Sequence, residues 1–159
     1  MATLQIFADY HHFILQDAAS AEADGWEVAW PAEALAQMLA VTPRLVAVGT
    51  ARSESVPVEV VIAAGPPSPE DEADADLVTE ASLAVPSGAL VCCGPTAYLP
   101  DAARIAVEPG TYGVRVAYRG LATISADGFD GEDRYRVVLW PVATELPAQV
   151  VIDRRGAHT

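Results

Sequence analysis

The sequence predicts a mainly β fold, an antiparallel β-sandwich carrying one short α-helix. Three observations predict it. Many short apolar runs are separated by turn residues, only one segment combines helical spacing with start and stop signals, and no fixed repeat period is visible. The chain has 159 residues, a length for one domain. That domain is expected over residues 1–153, with a frayed tail from Arg154 to Thr159. Hydrophobic residues make up 52% and charged residues 19%, a balance that excludes global disorder.

The first run, Leu4 to Leu15, reads as one strand. Leu4, Ile6, Ala8, Tyr10, His12 and Ile14 share one face, and Phe7, His11, Phe13 and Leu15 share the other. Both faces are largely apolar, so cover on both sides is expected. Asp17 to Asp24 holds Ala, Ser and acids and reads as a loop; Trp26 to Trp30 reads as a short strand. The helix spans Pro31 to Ala40. Pro31 suits its first turn, Glu33 complements the dipole, Leu35, Met38 and Leu39 fall at helical spacing, and Pro43 closes the segment. Strands follow at Arg44 to Thr50, Val56 to Ala63, Leu77 to Val85, Ala89 to Cys93, Tyr135 to Trp140 and Val150 to Ile152. Arg104 to Glu108 and Thr111 to Tyr118 read as a hairpin around Pro109-Gly110. Two segments are loops by composition. Gly65 to Asp76 carries Pro66, Pro67 and Pro69, then Glu70, Asp71, Glu72, Asp74 and Asp76; Ala126 to Asp133 is rich in Asp and Gly. Neither buries enough apolar surface to offset its ordering entropy, so mobile, solvated carboxylates are expected in the first.

The formal charge is −13, from 22 Asp and Glu against nine cations, every one of them Arg. Phosphates need cations opposite them, so direct nucleic-acid binding is not expected, nor is an anionic membrane surface. A basic protein partner is favoured. The same acidity also serves solubility alone. The opening residues carry no basic side chain before Asp9 and no signal-peptide core, and no run reaches the ~18 apolar residues of a spanning helix. A cytoplasmic protein is the expectation. Cys92 and Cys93 are adjacent. A strand points neighbours to opposite faces, so they read as small buried thiols in a reducing compartment.

Chemistry-bearing constellations are sparse. His11 and His12 are neighbours on an expected strand and diverge, which disfavours a shared metal. Either remains open to a general-base role. The acids from Asp127 to Asp133 miss the spacing of a calcium loop. No phosphate-cradling Gly motif occurs. The residues thus predict no enzyme, no metal and no cofactor.

Tyr10-His11-His12-Phe13 resembles the Tyr-His-Gln-Phe segment in the first strand of the competence protein J family, with His12 in place of the Gln. A Trp followed by Glu33-Ala34 resembles that family's helix start. Val48-Gly49-Thr50-Ala51-Arg52-Ser53 resembles a family strand that ends in Arg and a small polar residue. Thr79 to Val85 and Pro109-Gly110-Thr111-Tyr112 resemble its later strands and turn. The likeness runs to about Trp140. It implies a non-enzymatic inhibitor of a DNA-entry nuclease, and it carries no residue-level site. Carboxylates suit such an inhibitor, because a nuclease presents cations to DNA. The expected partner contacts are Glu70, Asp71, Glu72, Asp74 and Asp76, joined by Tyr10, His11 and Arg52 from the segments that carry the resemblance. Binding of another protein or a small ligand, or an enzyme using His11 or His12, are the alternatives.

Overall fold

In the computed structural model, which describes residues 2–158, eleven strands alternate with short helices. The side chains of Ala157 and His158 and the whole of Thr159, the end of the expected tail, lie outside what is described, as does Met1. In chain order the strands are β1 (Ala2–Phe7), β2 (His12–Asp17), β3 (Leu39–Thr42), β4 (Leu45–Gly49), β5 (Ser55–Ile62), β6 (Leu77–Val85), β7 (Ala89–Cys93), β8 (Ala103–Ala106), β9 (Gly110–Arg119), β10 (Arg134–Pro141) and β11 (Gln149–Asp153). Six of them form one sheet in the order β1-β5-β10-β9-β6-β11, and five form a second in the order β3-β4-β2-β7-β8. The fold is mainly β, as the sequence predicts. Pairings are antiparallel except β5 with β10, which is parallel.

Alternation dictates the core. Val56, Val58 and Val60 of β5, Tyr112, Val114, Val116 and Tyr118 of β9, and Tyr135, Val137 and Leu139 of β10 face inward. They meet Phe13, Leu15, Val46, Val48, Leu90 and Cys92 from the second sheet. The rings of Phe13 and Tyr118 both stand edge-on to Tyr135, with centroids 6.0 and 5.8 Å apart. A smaller cluster, including Ile14, Ala47, Val91 and Cys93, lies on the outer side of the second sheet under Trp26, Val28 and Trp30.

Several local expectations are corrected. Leu4 to Leu15 is two strands in different sheets, because Tyr10 and His11 adopt the left-handed region at φ 56° and 63° and turn the chain. Asp17 to Asp24 is not a loop. Asp17 caps α1 (Ala18–Asp24) by accepting from the Ser20 N–H, and Gly25 ends it at φ 69°. The expected helix is α2 (Ala32–Gln37), shorter than Pro31 to Ala40. Met38 turns left-handed, and its carbonyl accepts from Gly49 N and the Tyr118 hydroxyl, which hands Leu39 to β3. Trp26 to Trp30 is not a strand but an irregular cover over the second sheet, fixed by Trp26 Nε1 donating to the Pro95 carbonyl at 2.8 Å. The segments around Pro109-Gly110 do not pair with each other. β8 pairs with β7 and β9 with β6 and β10, so the turn passes from one sheet to the other.

The acidic Gly65 to Asp76 segment is also not a free loop. β5 and β6 run in the same direction within one sheet, with β10 and β9 between them. Their connection must therefore return along the sheet's length. It does so across the outer face, where Arg115, Arg119 and Arg134 hold it. Ser68 and Asp71 form a reciprocal capping box around the short 3-10 turn Pro69–Glu72. Arg154, at the start of the expected tail, is held too. Its N–H donates to the Asp76 carbonyl and its Nη1 to the carbonyls of Glu72 and Ala75. No helix among the described residues is long and apolar enough to cross a membrane.

Candidate functional site

One end of the sandwich gathers most of the residues singled out from the sequence. β1 ends there and β2 begins, so residues 8–11 pass from one sheet to the other. β4 ends there and β5 begins, so residues 50–54 make the reverse passage beside them. The two passages are bonded to each other: Ala8 N donates to the Glu54 carbonyl at 2.9 Å and Thr50 N to the His11 carbonyl at 2.8 Å. Residues 120–133, between β9 and β10, close the same end, and Asp74 and Asp76 reach it before β6 begins.

Tyr10 is 73% exposed on this end. Two consecutive non-Gly residues at positive φ carry strain of order 1–3 kcal/mol each. Surrounding bonds hold them: Asp9 Oδ1 accepts from Tyr10 N, the Ala8 carbonyl accepts from His11 N, and His11 Nδ1 lies 3.3 Å from the Thr50 carbonyl. His12 turns the other way, with Nδ1 3.2 Å from the Tyr10 carbonyl and its ring against Trp30. The two imidazoles therefore diverge.

Arg52 is buried, not displayed. Its Nε donates to Asp133 Oδ1 at 2.6 Å and its Nη1 to the Phe129 carbonyl at 3.0 Å. Asp133 has no exposed side-chain surface. Its second oxygen accepts from the Tyr135 hydroxyl at 2.6 Å, and that hydroxyl accepts from Ala51 N at 2.8 Å. Burial, then the bond to Asp133, pushes the Tyr135 phenol pKa up. Arg52 thus ties the 50–54 passage to the 120–133 loop and positions that loop's exposed Phe129, 62% accessible. Sequence reading missed Phe129 and Asp133. The charged Asp127 to Asp133 run hid both, although a lone Phe among acids was a signal.

The five acidic candidates differ. Glu70 is exposed. Asp71 is exposed but engaged in the capping box, whose Ser68 bonds lower its pKa. Glu72 is buried; Oε1 accepts from Arg115 at 2.9 Å while Oε2 has no partner, and burial raises its pKa despite Arg115. Asp74 is exposed and paired with Arg119, which lowers its pKa. Asp76 Oδ2 accepts from Leu121 N at 3.0 Å. Around Tyr10 and Phe129 stand further carboxylates, Asp9, Glu54, Asp127, Asp130 and Glu132. No arginine among the described residues pairs with these five. Asp127 accepts from Ser125 and Phe129 N within its own turn. Cys92 and Cys93 are buried free thiols. Burial pushes Cys92 well up and Cys93 up to about 11, so neither is a thiolate at neutral pH.

The arrangement presents two exposed aromatics on mutually bonded segments, rimmed by carboxylates, the make-up of a protein-binding surface. The fold has relatives of known structure. ComJ from Bacillus subtilis, described as an inhibitor of the DNA-degrading activity of NucA, superposes with a TM-score of 0.69 over 89% of this chain and 96% of that one, at 11% identity. The fold is that of ComJ. A second structure, described as crocagin biosynthetic gene J, superposes with a TM-score of 0.56 over 88% of this chain and 96% of its own, at 20% identity. No protein-family model and no curated protein sequence matches the chain.

Proposed function

We propose that the chain is a non-enzymatic inhibitor that binds a basic DNA-degrading nuclease through the Tyr10 and Phe129 end of the sandwich. The observation that carries the reading is the pairing of two exposed aromatics with an acidic rim on a fold shared with a nuclease inhibitor. Aromatic anchors contribute most of the binding energy in such interfaces, and rim charges steer encounter. Tyr10, His11 and Phe129 form the contact, and Arg52 positions it from behind. Asp9, Glu54, Asp130 and Glu132 form the rim, to which the 70–76 connection adds Glu70, Asp71 and Asp74. Glu72 and Asp76 serve the fold. DNA degradation by the purified counterpart nuclease of the source organism, measured with increasing chain, tests the reading. Stoichiometric inhibition that Tyr10→Ala plus Phe129→Ala weakens by about a hundredfold or more is expected for two anchors. Full activity at micromolar chain would overturn it.

A further inference from the structure

Three of the nine arginines line one cleft. On the outer face of the six-stranded sheet, Arg119, Arg134 and Arg136 surround a hollow of about 360 Å3 together with Thr3, Pro57 and Glu59. Register puts them there. Arg134 of β10 lies directly opposite Arg119 of β9, and Arg136 follows two residues on, on the same face. Like charges directly opposite each other across a sheet repel. Asp74, brought by the crossover connection, answers them. Its Oδ1 accepts from Arg119 Nε at 2.7 Å, whereas its Oδ2 is 3.7 Å from Arg134 Nη2. The second separation is too long for a hydrogen bond. Glu59 takes Arg136 Nε at 2.7 Å. Asp74 and Glu59 pair directly with these guanidiniums, the Asp71 carboxylate lies within electrostatic reach of Arg119 and Arg136, and Arg119 Nη2 also donates to the Asp71 carbonyl. Among the described residues, Arg134 makes no side-chain hydrogen bond and Arg136 only the one through Nε.

We propose that this cleft binds an oxyanion, the carboxylate or phosphate group of a small ligand, with Asp74 as the resident counter-ion that the ligand displaces from Arg134. Planar guanidiniums meet such groups with paired donors, and Arg134 and Arg136 present theirs from adjacent same-face positions. Asp74 is solvent-facing, so it can swing aside while the crossover stays anchored through Glu72 and Arg115. The cleft and the proposed nuclease contact share Asp74, but the cleft uses cations on the sheet face and its titration involves no nuclease, so the two readings stand or fall separately.

Isothermal titration with inorganic phosphate and with citrate tests it, at constant ionic strength set by chloride. Both are applied to the unmodified chain, to Arg134→Gln and to Asp74→Asn. Saturable binding at millimolar concentration is expected for at least one oxyanion, and the two titrants distinguish phosphate from carboxylate as the preferred group. Arg134→Gln weakens it about tenfold or more, the loss of one charge-assisted contact. Asp74→Asn tightens it, because a competing carboxylate is gone. No saturable heat with either titrant overturns the proposal, as does binding that Arg134→Gln leaves unchanged. Should Arg134→Gln fail to fold, Asp74→Asn decides: equal or weaker binding overturns the site.

Discussion

Arg52 Nε and Asp133 Oδ1, 81 positions apart in the chain, meet at 2.6 Å in the interior of the sandwich end. This pair, not an alternation pattern, fixes how the loop bearing Phe129 sits against the passage beside Tyr10. Removing one partner of a buried pair leaves an uncompensated charge. Arg52→Met and Asp133→Leu are each expected to lower unfolding stability by about 3–5 kcal/mol. The double variant loses less than the sum, because it leaves neither charge alone. Urea unfolding of the three variants measures both effects.

Gly120 follows the last residue of β9 at φ 70°, and a Cβ there would sit 2.3 Å from the Glu132 carbonyl oxygen. Both the backbone region and the space exclude a side chain. Gly120→Ala should cost more than about 1 kcal/mol, read as a fall in melting temperature. Gly65→Ala, with nothing near its Cβ, serves as the control and stays within about 0.5 kcal/mol.

Glu72 gives a pH signature. Its pKa is raised above the ordinary 4.5, chiefly by burial. A carboxyl with a raised folded pKa binds more protons in the fold than in the unfolded chain. Its contribution is complete below the unfolded value and is lost as pH rises through the folded one. Glu72→Gln loses nothing over that range. The stability of Glu72→Gln relative to the unmodified chain is therefore expected to rise from about pH 4.5 upward. Parallel denaturation midpoints across pH 4 to 8 would contradict this.

The steering charges are separable from the structural ones. Glu70, Asp130 and Glu132 make no side-chain ion pair among the described residues and are exposed. Replacing all three with Gln or Asn should leave stability within about 0.5 kcal/mol. Association with a basic partner should slow, and its salt dependence should flatten. Stopped-flow rates at low and high salt provide the comparison. Adding Glu72 and Asp74 to that set removes anchors of the crossover and should destabilise the fold.

Both thiols should be silent in the folded protein. Cys92 and Cys93 are buried and protonated at neutral pH. Iodoacetamide at pH 8 should label neither until denaturant is added, as mass spectrometry would show.

The strands were legible because alternation states which face is inside: Tyr112, Val114, Val116 and Tyr118 read directly as a core row. The Tyr10 and His11 turn was not. Their left-handed backbone is held by contacts with Thr50 and Ala8, distant in sequence or carried by backbone atoms, while an aromatic, apolar run has strand character on propensity alone. The acidic connection misled for a related reason. Its composition argues disorder, but Arg115, Arg119 and Arg134 come from strands whose outward faces only the sheet order brings beneath it. Arg52 was legible as a marked position and illegible in role, since its partner Asp133 lay in a run that read as solvated.

The sheet order also sets a timetable for the newborn chain. β5 and β9 both rest on β10, and β10 is complete only at Pro141. Until translation has passed that point, the Val-rich edge of Ser55–Ile62 has β1 on one side and nothing on the other. An unpaired, apolar strand edge is the template from which chains associate. Non-local parallel pairing is also slow to form. A nascent chain stalled before Arg134 is therefore expected to be held by a chaperone or to aggregate, while release of the last strands makes it safe.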